Sequence, residues 1–198
     1  MDIVLATSNK GKVRELALYL PEFNVIPYSD LLTPFEIVED GNDFKENALI
    51  KARAVYEALK RDDVIVLADD SGISVTALGG EPGLFSARYA GAGASDEDNL
   101  NLLIKKLSQI GLKKSDAHYT CAIVLKIGEI EYTTHGFMHG EVIDTPRGTN
   151  GFGYDPIFCP KGFDKTLGEL DDEIKKSLSH RSKAINRAGI VLKNFLSQ

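Results

Sequence analysis

Two adjacent carboxylates, Asp69 and Asp70, close an apolar, β-branched run from Val64 to Ala68 and are followed by Ser71 and Gly72. Ionised carboxylates resist burial unless something pairs with them. In open α/β sheets, ligands bind at the carboxyl ends of strands. The pattern therefore marks a candidate site at a strand end. A plainer reading stays open at this point: Asp70-Ser71-Gly72 as a turn, with the aspartate capping local N–H groups.

Three further segments carry groups suited to a phosphorylated ligand. Thr7, Ser8, Asn9, Lys10, Gly11 and Lys12 bring short hydrogen-bonding side chains, a permissive glycine and two cations to a helix start, where free N–H groups attract anions. The P-loop spacing is absent, and taken alone the segment reads more readily as a capped helix with solvated lysines. Glu39, Glu46, Asp69 and Asp70 form an acidic set. Mg²⁺ takes hard oxygen ligands and keeps several waters, so one to three carboxylates plus phosphate oxygens suffice; surface acid for Glu39 and a capping box for Glu46 are the bland alternatives. In GTNGFGYDP, residues 148–156, Phe152 and Tyr154 sit among glycines beside Asp155. Such rings can stack on a planar heterocycle or fold inward to complete a core. Finally, His180 and Arg181 open the last helix after Ser179, against the helix dipole, and Lys175 lies just upstream. Local inconsistency of that kind tends to mark function.

The elements that position these groups follow from periodicity. Strands are predicted at 2–7, 23–27 and 64–68, and helices at 11–20, 44–59 and 96–109. Asp43 is the expected N-cap of the second helix, with Glu46 closing the box. A Gly/Pro-rich loop covers 79–93. Strands at 118–127 and 129–138 form a hairpin about Gly128, with a short strand at 141–145 and another at 157–159. A short polar helix spans 167–176, and a last helix runs from its cap Ser179 to Leu196. The fold class is α/β: a mixed sheet with helices on its faces, as two lobes around a cleft.

The bulk numbers narrow the function. A length of 198 residues gives one sizeable domain, and 43% hydrophobic with 26% charged residues is an ordinary globular composition. The net charge of −6 argues against a dedicated nucleic-acid binder. The two cysteines, Cys121 and Cys159, lie in apolar runs without metal-ligand spacing, as buried free thiols would. The first residues lack a signal peptide's basic region and long apolar core, and no run approaches a membrane span, so a cytoplasmic location is expected.

Taken in order, TSNKGKVREL (7–16), FKENALIKA (44–52), ADDSGISVTALGGEPGLFSARYAG (68–91), GFGYDPIF (151–158) and SHR (179–181) resemble the inosine triphosphate pyrophosphatase family of non-canonical purine nucleoside triphosphate pyrophosphatases. The resemblance spans nearly the whole chain. It implies a single two-lobed domain over 1–198 with a central nucleotide cleft. It also implies a homodimer and Mg²⁺-dependent hydrolysis of ITP, dITP and XTP to the monophosphate and pyrophosphate. By position, Thr7 to Lys12 line the triphosphate path, and Glu39 and Asp70 hold the metal with Glu46 and Asp69 in support. Asp70 is also the proton acceptor and Ser71 touches substrate. Phe152, Gly153, Tyr154 and Asp155 receive the nucleoside; Lys175, His180 and Arg181 read the base. Relatives often carry Gly at the place of Ser8 and some carry Trp at that of Tyr154; neither change removes a required group. The rival enzyme is a Maf-type pyrophosphatase acting on pyrimidine triphosphates. The rival outside catalysis is a silent nucleotide sensor.

Overall fold

The computed structural model describes residues 1–197; Gln198 and the side chains of Lys10 and Gly11 lie outside the described residues. Among the described residues, eleven strands and α-helices follow in chain order: β1 (Asp2–Leu5), α1 (Lys10–Tyr19), β2 (Val25–Pro27), α2 (Phe44–Leu59), β3 (Val64–Val75), α3 (Asp96–Gln109), β4 (Lys114–Ile127), β5 (Ile130–Ile143), β6 (Phe158–Pro160), α4 (Asp172–Leu178) and α5 (His180–Leu196). Hydrogen-bonded strands follow the order β2-β1-β3-β4-β5-β6. β1 pairs in parallel with β2 and β3, and β5 pairs antiparallel with β6. β4 and β5 are joined by two residues, of which Gly128 has φ 56°, as a primed hairpin turn requires.

The chain forms two compact units. The first comprises Met1–Asp70, Cys121–Gly136 and Arg181–Gln198. Its strands alternate with period two. Ile3, Leu5, Ile65 and Leu67 meet Leu16 and Leu20 of α1 and Ala184, Ile185, Ala188 and Leu192 of α5. The intervening Val4, Val64, Val66 and Ala68 meet Ala48, Ala52 and Val55 of α2. Each fully buried Leu, Ile or Val contributes roughly 1.5–3 kcal/mol, so these two faces hold the first unit together. Cys121 is buried and free here, as expected, and burial followed by the charge of Asp69 pushes its thiol up to about 12.

The second unit comprises Ser71–Thr120 and Phe137–His180. Leu100, Leu103 and Leu107 of α3 pack there with Ile73, Val75, Tyr119, Met138, Val142, Ile157 and Phe158. α3 starts at a full capping box between Ser95 and Asp98.

Several boundaries differ from expectation, three of them with a cause in the packing. The short strand at 141–145 is the end of β5, which runs unbroken from Ile130 to Ile143. Gly140, inside the strand, pairs with Pro160 of β6, and a Cβ there would collide with the Cys159 carbonyl; glycine in a strand often marks such a close approach. The helix at 167–176 is a 3₁₀ turn, Leu167–Glu169, followed by α4. Thr166 and Glu169 cap that turn and Leu170 is extended, which ends it. The third difference concerns β3 and forms part of the site.

Candidate active site

β3 does not stop at Ala68. It continues through Asp69, Asp70, Ser71 and Gly72 to Val75, so the turn reading of Asp70-Ser71-Gly72 is corrected. The strand-end argument holds for its neighbour: β1 ends at Leu5 opposite Leu67, and Ala6 N–H makes the last bond, 2.8 Å to the Leu67 carbonyl. Beyond that point β3 loses its parallel partner. The two carboxylates emerge there, beside the loop 7–9 that leads β1 into α1.

Because successive strand residues face opposite ways, Asp69 and Asp70 work on different faces. Asp69 continues the face of Ile65 and Leu67. It is 4% exposed, and Lys12 Nζ of α1 reaches both its oxygens at 3.2 and 3.1 Å. Arg181 Nε of α5 lies 3.5 Å away, and Arg181 Nη1 also donates to Glu15 Oε2 at 3.0 Å. Burial works against the Asp69 charge, but Lys12, Arg181 and Lys51 outweigh it and hold the carboxyl well below the usual carboxylate range. Arg181, 7% exposed, keeps its proton against burial through Asp69 and Glu15.

Asp70 continues the other face, that of Val66 and Ala68. Asn47 Nδ2 donates to its Oδ2 at 3.1 Å and Lys51 Nζ to its Oδ1 at 3.3 Å. The same ammonium donates to Glu39 Oε2 at 2.8 Å, so Glu39 and Asp70 share one cation. Burial raises the Asp70 carboxyl above its ordinary value, with Lys51 and Asn47 partly opposing. Lys51 stays charged: burial lowers its proton affinity, and Asp70 and Glu39 more than restore it. Asn47 is itself fixed, its Oδ1 accepting from Gly41 N–H at 2.9 Å.

Glu46 is not drawn into this group. It is exposed, and its Oε2 accepts from Asn42 N and Nδ2 at 2.7 and 2.9 Å. Asp43 caps α2 through Glu46 N–H at 2.8 Å, so the box is half formed, with Glu46 reaching one residue before the cap. Among the described residues no group of three or more His, Cys, Asp or Glu gathers around a metal position. Two carboxylates held on one cation do fit Mg²⁺, which is commonly bound through one or two carboxylates plus substrate phosphates.

At the start of α1, Asn9 N–H is held by Thr7 Oγ1 at 3.1 Å, and Asn9 Oδ1 accepts from Lys12 N–H at 3.2 Å. Asn9 is thus the cap, and Ser8 is exposed beside it. Lys12 lies on the helix face that meets Asp69. Ser71 is half-buried in β3.

The second unit holds the other expected groups. Phe152 is 68% exposed. Tyr154 is buried, its hydroxyl donating to the Ser86 carbonyl at 2.8 Å. Lys175 Nζ pairs with Asp155 Oδ2 at 3.0 Å. A side chain at Gly151, whose φ is 90°, would run into both members of that pair. Burial raises the Asp155 carboxyl while Lys175 opposes. His180 stacks on Tyr119 with centroids 4.8 Å apart.

Asn47 and Lys51, which hold Asp70 in place, were not singled out from the sequence. Their signal was present: they flank Ala48 and Ala52 on the apolar stripe of α2 and are buried with it. Polar residues on a core-facing stripe need partners, and Asp70 supplies them. Glu15, the partner of Arg181, gave no such signal.

Comparison with known proteins places this arrangement. A model of the Ham1 family matches residues 3–189. A dITP/XTP pyrophosphatase of Nautilia profundicola is 59% identical over 195 residues, covering 98% of this chain and 99% of the relative. Another so named, from Sulfurimonas denitrificans, is 56% identical over 199 residues, with 98% and 100% covered. The structure of the Staphylococcus aureus Ham1 protein superposes with a TM-score of 0.89 at 40% identity, covering 98% of this chain and 99% of that one. Matched almost end to end by the family model and by relatives more than half identical, the chain belongs to the Ham1 family.

Proposed function

We infer that the protein hydrolyses non-canonical purine nucleoside triphosphates, ITP, dITP and XTP, to the monophosphate and pyrophosphate. The observation that carries this reading is the meeting of Glu39 and Asp70 on one ammonium, beside the strand end that delivers Lys12. The relatives' shared name, dITP/XTP pyrophosphatase, supports the substrate class.

Glu39 and Asp70 would hold Mg²⁺, with phosphate oxygens and water completing it. Bound there, the ion supplies charge neutralisation and Lewis acidity at the phosphoryl oxygens. The chain's residues do the rest. Thr7 to Lys12 receive the triphosphate, Lys12 contributing its charge. Asp70 orients and deprotonates the water that attacks the α-phosphorus. Asp69 has both oxygens engaged by Lys12 and serves as the buried counter-charge that places it. Phe152 stacks on the base, and Lys175, His180 and Arg181 present donors to the 6-oxo group. Adenine offers an amino group there and would leave donors unpaired, at about 1–3 kcal/mol each.

The test is pyrophosphate release from ITP, dITP, XTP, GTP, ATP and dTTP with and without Mg²⁺. Release is expected from the first three, with Mg²⁺ required. Preference for dTTP would favour the Maf-type reading, and no release from any would favour a silent sensor.

The active form is proposed to be a cytoplasmic homodimer. No described helix is long and apolar enough to cross a membrane. Phe85, 58% exposed on the 3₁₀ segment Gly83–Arg88, offers an aromatic anchor of the kind interfaces use. Light scattering at micromolar concentration is expected to report twice the chain mass, and Phe85→Glu to lower it. A fully active species of single-chain mass would refute the dimer.

A further inference from the structure

We propose that Asp96, at the start of α3, is a positioning residue that holds the loop 151–155 in the shape that receives the nucleoside. This rests on the reading of Phe152 to Asp155 as the nucleoside loop.

The loop carries an exposed aromatic ring between two glycines in the left-handed region, Gly151 at φ 90° and Gly153 at φ 58°. Glycine is conformationally permissive, so the ring's order depends on hydrogen bonds: within the loop, Phe152 N–H donates to Asp155 Oδ2 at 3.4 Å and Asp155 N–H to the Phe152 carbonyl at 3.1 Å. The rest of the order comes from contacts elsewhere in the second unit. Tyr154 is tied to Ser86 and Asp155 to Lys175, which fixes the C-terminal side. Next to Phe152 itself, Gly153 N–H donates to Asp96 Oδ2 at 2.8 Å, across 57 positions of sequence. A hydrogen bond to an ionised acceptor is among the stronger ones.

α3 does not need this carboxylate for its own start. Ser95 and Asp98 close the capping box between them, and Glu97 and Asp98 supply acid to the first turn. The Asp96 side chain is thus spent on the loop. Its charge is also felt there: after burial, it is among the causes that raise the proton affinity of both Tyr154 and Asp155. A ligand that binds only the ordered loop is weakened in proportion to the fraction of time the loop is ordered. Loss of Asp96 therefore acts on nucleoside affinity and leaves the phosphate groups of the first unit alone.

The experiment is calorimetric titration of wild type, Asp96→Ala and Asp96→Asn with IMP and, separately, with inorganic pyrophosphate, alongside melting temperatures and steady-state kinetics on dITP. Asp96→Ala is expected to weaken IMP about five- to tenfold. Pyrophosphate affinity and melting temperature should stay unchanged, and KM for dITP should rise with kcat within about twofold. Asp96→Asn keeps an acceptor oxygen and should recover most of the IMP affinity. Unchanged IMP affinity in Asp96→Ala would overturn the proposal, as would an equal loss for IMP and pyrophosphate, or an Asn variant no better than Ala. Failure of the functional reading is separable, because it shows as wild-type protein that releases no pyrophosphate from dITP.

Discussion

Asp70→Asn is expected to remove most turnover while the protein keeps its fold. General base catalysis is typically worth about 10²–10⁴-fold, and the substitution also withdraws one of the two carboxylates assigned to the metal. The fold should tolerate it because burial already favours the neutral form at this position. The Asn47 amide can still donate to the new side chain's carbonyl. Lys51 then meets an amide N–H₂ at the other position, but it retains Glu39 at 2.8 Å. The measurement is kcat on dITP at saturating Mg²⁺, together with a melting curve. A folded variant that keeps more than about a tenth of wild-type kcat would remove Asp70 from the chemistry.

The second large effect is on stability. Asp69→Ala leaves Lys12 and the buried Arg181 without their shared carboxylate. Breaking a buried pair by removing one partner costs about 3–5 kcal/mol. In a chain of this size that lowers the melting temperature by about 6–20 °C. The pH dependence follows from the direction of the shift. The Asp69 carboxyl is depressed in the folded state, so its stabilisation is complete above the unfolded value of about 3.9 and fades as pH falls toward the folded value. The deficit of Asp69→Ala in denaturant midpoint should therefore be full at pH 7 and smaller at pH 3. Equal deficits at both pH values would show that lost packing, rather than lost charge, is responsible.

Much of this arrangement was readable from the chain. The stripes of α1, α2, α3 and α5, the cap at Asp43 and the hairpin at Gly128 all follow from local periodicity and turn chemistry. The apolar run into Asp69 and Asp70 pointed to the place where β1 ends beside β3, but the end of β3 itself was misplaced. The length of β3 is set by β4, a 14-residue neighbour, and a strand's partner is not written in its own residues. The unbroken run of β5 through Gly140 has the same origin, since β6 lies close against that glycine. For Asp69 and Arg181, types and positions were visible but their pairing was not. Contact between residues 112 positions apart depends on α5 packing beside α1 on one face of the sheet.

The opposed directions of Asp69 and Asp70 have a consequence for how β3 finds its alignment. From Val64 to Ala68 every side chain is buried and apolar, so hydrophobicity alone scarcely distinguishes one face from the other. A slip by one residue would exchange the faces at little apolar cost. It would, however, bring Ser71 to the position facing Asn47 and Lys51, leaving that ammonium without its aspartate, while Asp70 moved toward Lys12 and Arg181. Buried charges that meet only one correct partner serve best as markers of alignment. The two aspartates thus act as a key that admits one pairing of an otherwise ambiguous strand, and the residues assigned to hydrolysis also fix the sheet in which they stand.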